Sequence, residues 1–437
     1  MLVKFICQNV LSFYNEIEFR MFKNPTRSFS NHIFHTKNSN PEILKSSIIY
    51  GANASGKSNF VKAIDIGRDF IMNGPINPAR LDIPFFKLCA NECNNTLFEY
   101  TILSNNKYYV YGFEITNSKV LKEWCYKLNN KKPKLLFERE TTDSGVLNIK
   151  IGDFVKNDND KIFYNDFCKK ATKKTQLYLT TVINNNSKDF DDIIDWFRKL
   201  TIIYPESTFG NIFSIIADQK FYKSFIQILH NLDIDIDEFT FHEGSIDDSW
   251  VEIPQSIIND IKKNIDEKNS ISLFSNEGHF FIFSLVDHKI KATKLISQHL
   301  NSNNELINFD LPEESDGTRR LFDLIPMLLN FKMKDSVFIV DEIDRSLHSI
   351  LSKNIFKLFF KYTDRRPCQL IATTHDTNLM DLDLFRNDEI WYVKKNYARS
   401  SELYSLYEFK QRYDKKLVKD YLNGRFGAVP EINIDKG

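Results

Sequence analysis

Cysteine is scarce in this chain. The 437 residues hold six, Cys7, Cys89, Cys93, Cys125, Cys168 and Cys368, too scattered for a disulfide framework. The close pair Cys89 and Cys93 is followed by no Cys/His pair at zinc-finger spacing, so no metal is expected there. No apolar run approaches the roughly 20 residues that span a bilayer. The opening MLVKFICQNVLSF has one lysine and no small-residue cleavage site, so no secretory signal is expected. A cytoplasmic protein without a membrane partner is the expectation. Net charge is lacking too: Lys+Arg and Asp+Glu both total 58. There is no global field to draw in nucleic acid, which leaves only local patches for such contacts. Repeats and low-complexity linkers are absent as well.

What is present is core material. The chain is 42% hydrophobic, with 38 Phe and 18 Tyr, enough for two or three globular domains. Residues 2–22 read as two strands, and residues 83–151 as a β-rich stretch of aromatic and β-branched runs separated by Asn-rich turns. Residues 160–270 read as helical and polar, with amphipathic FDDIIDWFRKL and FYKSFIQILHNL but no sustained heptads. Strands return in ISLFSNEGHFFIFSL, VFIV, CQLIATTHD and DEIWYV. The expected fold is α/β, with a discontinuous core. Its N-terminal half and a β-rich lobe occupy 1–155, a mainly helical insertion 156–270, and its C-terminal half 271–437.

The strongest motif is Gly51-Ala52-Asn53-Ala54-Ser55-Gly56-Lys57-Ser58, which fits G-x-x-x-x-G-K-[ST] between an apolar strand and a helix. Glycines let successive N–H groups point at one anion, and the helix N-terminus adds partial positive charge. Lys57 is expected on the β/γ-phosphates of ATP, and Ser58 on Mg²⁺. On the helix, Phe60, Ala63, Ile64, Gly67 and Ile71 fall on one face. The second motif is VFIVDE, four apolar residues and then Asp341 and Glu342. Acids at the end of a buried strand are costly unless they serve a cation. Asp341 is the expected magnesium partner, and Glu342 the residue that orients or deprotonates attacking water. Lys57 and Asp341 lie 341 − 57 = 284 residues apart, so one site is split across most of the chain.

This order of motifs resembles the ABC-type ATPases of the SMC/RecF class, most closely over 1–70 and 310–380. The resemblance implies an SMC-head-like core whose nucleotide-binding set is Gly51 to Asn59. It implies a catalytic set of Lys57, Glu342 and His375, the histidine of LIATTHD facing the γ-phosphate. DGTRRLFDL resembles the signature motif that such ATPases present to a partner's nucleotide, although ESDGTR stands where Leu-Ser-Gly-Gly-Gln is usual. It implies Ser315, Asp316, Gly317, Thr318 and Arg319 acting in trans, with Arg320 and the Asp344, Ser346 and His348 of DRSLH left open. ESDGT and the terminal YLNGRFGAVP are similar to the stand-alone AAA ATPases of abortive-infection and PARIS-like phage-defence systems. That likeness implies a homodimer or higher oligomer that controls a separate effector, such as a nuclease. Only 437 − 375 = 62 residues follow His375, little room for a nuclease module in this chain.

Two other functions fit parts of the pattern. One is a RecF-like DNA-repair ATPase, marked by salt-sensitive DNA binding. The other is a P-loop small-molecule kinase, which the 284-residue gap and the signature-like run oppose. Asp233, Asp235 and Asp237 do not make an EF-hand, because the sixth and twelfth positions are Glu238 and Gly244. They read as the solvated face of a strand. The basic runs Lys127–Lys134 and Lys169–Lys174 read as solvated charge, without aromatics for base stacking. Around Leu311–Phe322, Ser315 or Asp316 caps a helix with Leu321, Leu324, Ile325 and Leu328 on its apolar face, and Pro326 is expected to kink it.

Overall fold

A computed structural model describes the chain except for residues 26–28, 37–40, 76–79, 90–94, 130–131, 156, 186, 208–211, 267–268, 276–277, 410–416 and 430–437. Cys93, Lys131 and the end of the GRFGAVPEI run lie outside the described residues. The chain forms two compact units. Met1–Tyr204, Asp335–Asp344 and Phe359–Gly437 make the first; Pro205–Lys334 and Arg345–Leu358 make the second.

The first unit holds the split α/β core. A six-stranded sheet runs in the order Leu200–Ile203, Val337–Val340, Gln369–Thr373, Ser46–Tyr50, Ile390–Lys395, Ser401–Ser405. The first five strands are mutually parallel, and the last is an antiparallel edge. Every residue of Ser46–Tyr50, Val337–Val340 and Gln369–Thr373 is buried, as in a parallel sheet covered on both faces, and the polar Ser46, Ser47, Gln369 and Thr373 are each hydrogen-bonded there. The β-rich lobe is a seven-stranded antiparallel sheet running from Leu147–Ile151 through Lys134–Thr141, Val120–Leu128, Lys107–Ile115, Thr96–Ser104 and Leu2–Gln8 to Ile17–Arg20.

The helix Lys57–Asn73 shares one core with both sheets, burying Phe60, Val61, Ala63, Ile64, Phe70 and Ile71. Burial of these six is worth on the order of 10 kcal/mol before entropy. Phe60 meets Phe5 and Phe19, and Phe19 meets Trp391 of the parallel sheet. Gly67 is required by close approach: a Cβ there would lie 2.1 Å from the Tyr100 hydroxyl, which donates to Ile64 O at 2.9 Å. Gln369 ties the sheets together. Its Nε2 donates to Leu2 O (2.8 Å) and Leu44 O (2.9 Å).

Residues 156–204, expected within the insertion, mostly pack on this unit. Buried Tyr164, Leu177, Tyr178 and Phe190 join its core, and Leu200–Ile203 adds an edge strand to the parallel sheet. The second unit carries helices Gln219–Asn231, Gln255–Asn264 and Asp316–Met333. It also carries an antiparallel sheet in which Lys289–Leu300 pairs with Glu238–Ser245, Phe280–Val286 and Leu306–Asp310. Residues 233–237 are not a strand: Asp233 is left-handed (φ 61°) and pairing starts at Glu238, although Ile236 is buried and Asp235 exposed as alternation required. Phe225, Phe239 and Phe322 pack edge-on and tilted beneath the helix Asp316–Met333. That helix is capped by Ser315 rather than Asp316, and it continues unbroken through Pro326.

Candidate nucleotide-binding site

Parallel pairing brings three distant segments to one edge. Ile49 lies opposite Thr373, and Ala372 opposite Val340. The chain therefore leaves the sheet as Gly51, Asp341 and Thr374-His375 on the same side. The carboxyl ends of parallel strands are where open α/β sheets bind ligands.

The loop from Gly51 turns through Ala54 (φ 61°) and Gly56 (φ 119°) into the helix. A side chain at Gly56 would collide with Ser401 Oγ (2.3 Å) and Ser12 Oγ (2.8 Å). Those serines hold the loop from below: Ser401 Oγ donates to Ser55 O (2.6 Å) and lies 2.8 Å from Ser12 Oγ. Ser55 Oγ is buried and has no partner among the described residues. Asn53 and Ala54 are exposed, and Ala52, Ser58 and Asn59 are half-buried.

Lys57 is buried, and its Nζ donates to Gly51 O (2.7 Å) and Ala52 O (3.2 Å). Burial lowers its pKa to about 8, against the pull of Asp341, Glu342 and Asp344. Nζ also lies 3.4 Å from His375 Nδ1.

Asp341 is 2% exposed, and its Oδ1 accepts from Thr373 Oγ1 at 2.6 Å. The same hydroxyl accepts from Glu342 N at 2.8 Å, so Thr373 fixes both acids at the strand end. Glu342 takes a left-handed φ of 51°, a conformation uncommon outside glycine and often found at functional sites. Its Oε1 lies 3.9 Å from His375 Nε2. The His375 amide donates to Asp344 Oδ2 (3.2 Å), while Asp344 Oδ1 is buried without a hydrogen-bond partner among the described residues. Burial, and then the Lys57 charge, push the His375 pKa below its ordinary 6.5, so the ring is neutral at pH 7.

Lys57, Asp341, Glu342 and His375 thus share one site, with Asp344 behind the histidine. The signature-like residues lie in the second unit. There Ser315 Oγ accepts from Thr318 N (3.1 Å) and lies 2.9 Å from Thr318 Oγ1. Asp316 pairs with Arg319, and Arg320 faces Asp323 at 3.5 Å. Gly317 is pressed against the backbone of Ser346: a Cβ would stand 2.8 Å from Ser346 O. His348 Nδ1 accepts from Ile350 N, an ordinary capping contact. Thr373, Ser401 and Ser12 are the site-building residues that sequence reading did not single out. The exposed lysines Lys132, Lys134, Lys170, Lys173 and Lys174 lie outside the site.

The groups present fit a magnesium nucleotide. Ser58 and Asp341 supply hard oxygen donors, and the buried, unpartnered Ser55 Oγ and Asp344 Oδ1 have capacity to spare.

Fold and site together define a P-loop nucleotide-binding α/β protein with a discontinuous core and a β-rich lobe. The chain belongs to the AAA domain family described as "AAA domain, putative AbiEii toxin, Type IV TA system", whose model matches residues 46–381. No curated protein matches it in sequence. Among solved structures it is similar to the SMC head domain from Thermotoga maritima, with 14% identity, 92% of this chain and 98% of that one covered, and a TM-score of 0.40. It is also similar to an Smc head domain derived from Pyrococcus furiosus, solved with an extended coiled coil and bound to the C-terminal domain of ScpA. There the identity is 15%, the coverage 94% and 99%, and the TM-score 0.35. Among the described residues, no helix is long and apolar enough to cross a membrane.

Proposed function

We propose that this protein binds and hydrolyses ATP and uses the cycle as a switch over a separate effector. The observation that carries the reading is the meeting of Lys57, Asp341, Glu342 and His375 at one sheet edge, from segments up to 318 residues apart. Lys57 would leave the Gly51 and Ala52 carbonyls for the β/γ-phosphates. Mg²⁺, held through Ser58 and Asp341, would neutralise phosphate charge. Glu342, just past the strand end and partly exposed, would take the proton of the attacking water. Neutral His375 would hydrogen-bond the γ-phosphate.

Ser315, Asp316, Gly317, Thr318 and Arg319 would complete the site of a neighbouring copy. ATP would then favour a homodimer or higher oligomer by contacting both chains, and hydrolysis would release it. Membership of a family described by a toxin of a Type IV TA system supports a role in bacterial defence, with a nuclease or other toxin as effector.

Lys57→Ala tests the site directly. It should weaken ATP binding by at least about 100-fold, since one charge-assisted contact to phosphate is worth roughly 1.5–3 kcal/mol and this lysine makes several. Equilibrium titration with a fluorescent ATP analogue measures it, and unchanged affinity would overturn the assignment. A second outcome follows from the lowered pKa. Near pH 8 about half of Lys57 is neutral, and a bound polyphosphate would restore its charge. Binding should therefore take up protons at pH 8 and much less at pH 6.5. Calorimetry in two buffers of different ionisation enthalpy reads this directly; equal heats at pH 8 would count against it.

A further inference from the structure

Read alone, the run Lys169–Lys174 lacks aromatics, but the fold supplies two just before it. In the first unit Asp158–Lys161, Ile162–Cys168 and Lys169–Ala171 follow one another without a break, and Ile162–Cys168 is a π-helix. Such turns are rare and are found frequently at functional sites. The inner side of this segment is fixed. Tyr164 and Cys168 are buried in the core, and the Tyr164 hydroxyl donates to Asp189 Oδ2 (2.5 Å). The Tyr178 hydroxyl donates to Tyr164 O (3.0 Å). Farther along, Lys174 O accepts from Val120 N (2.8 Å), and Arg139 donates to the carbonyls of Lys173 and Lys174 (3.3 and 3.4 Å).

The outer side carries groups with nothing to do in the fold. Phe167 is 52% exposed and stacks on half-buried Phe163, with ring centroids 6.0 Å apart and planes at 21°. Lys161, Lys170, Lys173 and Lys174 are exposed and Lys169 is half-buried. Over residues 161–174 five lysines stand against Asp166 alone, 5 − 1 = +4. Lys169, Lys170, Lys173 and Lys174 enter no ion pair among the described residues. A large exposed ring beside cations that no carboxylate neutralises, on a backbone held from behind, is a preformed surface for a polyanion with flat apolar groups.

We propose that this surface binds single-stranded nucleic acid. The lysines attract the phosphates, and Phe167 stacks a base, a contact that every base can make. A duplex keeps its bases stacked inside and has no use for an exposed ring, so the single strand is preferred. The chain as a whole has zero net charge, and a local patch of this kind is what such binding requires. An anionic membrane would also attract lysines, but it needs a broad apolar face. Here Tyr164 and Cys168 are spent on the core, and exposed Asn165 and Asp166 stand between the exposed Ile162 and Phe167. Stacking and phosphate contact do not depend on the 2′-hydroxyl, so DNA and RNA strands both qualify.

Fluorescence anisotropy of the full chain tests this, with end-labelled oligodeoxythymidine and oligouridine of about 20 nucleotides and a DNA duplex of the same length. Flotation with phosphatidylserine vesicles is run alongside. At least one strand should bind with a dissociation constant below about 10 μM at about 50 mM salt and weaken steeply towards about 200 mM. The duplex should bind at least about tenfold more weakly than that strand. Phe167→Leu keeps apolar bulk but removes the ring, and should weaken binding about tenfold at an unchanged salt slope. Combined Lys170→Gln, Lys173→Gln and Lys174→Gln should flatten the slope of log affinity against log salt by about two. The proposal is overturned if neither strand binds, if the duplex binds as tightly as the strand, or if the vesicles bind and the strands do not. Parental affinity in Phe167→Leu, or a parental slope in the lysine variant, overturns it equally. ATP turnover of these variants without nucleic acid should match the parent, so failure here leaves the ATP reading intact.

Discussion

Glu342→Gln should lower ATP turnover by about 10²–10⁴-fold while leaving ATP affinity within a fewfold of the parent. The substitution keeps the size of the side chain and the Glu342 N–H bond to Thr373 Oγ1, so the loop geometry survives. What it removes is the carboxylate that would accept a proton from water. Glu342 differs from Asp341 in ways that suit it to the proposed role of base: Asp341 is buried and held by Thr373, whereas the Glu342 side chain reaches towards His375 and is partly exposed. If hydrolysis resets an ATP-linked assembly, the variant should also accumulate the associated form. Light scattering with and without ATP would show a larger mass only with nucleotide. Turnover within tenfold of the parent would remove Glu342 from its role. Unchanged mass with ATP would remove the association model for a protein that starts as a monomer.

Much of this site was legible in the sequence because its parts are local. A buried strand is mostly apolar, a phosphate turn needs glycine, and an acid at a strand end needs a reason to be there. The motif strands Ser46–Tyr50, Val337–Val340 and Gln369–Thr373 therefore read as short apolar runs followed by chemistry. What holds the motifs together was not legible. LIATTHD offers two threonines, and only the register shows that Thr373, opposite Ile49, grips both acids. Ser401 reaches Ser55 across 346 residues, a pairing that no local pattern announces. Leu200–Ile203 was read with the helices before it, because four residues carry no periodicity of their own. It becomes a strand only because Val337–Val340 offers an edge. Pro326 is unfavourable inside a helix and was expected to kink it. Yet the helix persists, with the buried Leu324, Ile325, Met327, Leu328 and Leu329 on both sides of the proline and Asn330 Nδ2 donating to Pro326 O.

The other large effect lies far from the phosphate loop. Arg139→Met should destabilise the first unit by about 3–5 kcal/mol, because it strands a buried carboxylate. Glu123 and Arg139 have fully buried side chains, 3.3 Å apart. Glu123 also accepts from Tyr178 N (2.6 Å), Leu179 N (2.9 Å) and the Tyr111 hydroxyl (3.0 Å), and Arg139 donates to the carbonyls of Gln176 and Lys173. The pair thus pins residues 173–179 onto the β-rich lobe. Burial already pushes the Glu123 carboxyl above its ordinary range and disfavours the Arg139 cation, so each charge tolerates the interior through the other. Without Arg139 the Glu123 pKa rises further. A raised carboxyl pKa means that the folded state binds the proton more tightly than the unfolded one. The deficit of Arg139→Met should therefore be largest at neutral pH and shrink as acid protonates Glu123. Adding Glu123→Gln to Arg139→Met should recover part of the loss at pH 7, since the stranded charge is gone. Urea midpoints of parent, single and double variants at pH 7 and pH 5.5 measure all three outcomes. A loss under about 1 kcal/mol at pH 7, or a double variant no better than the single, would show that the lobe is held by its apolar core instead.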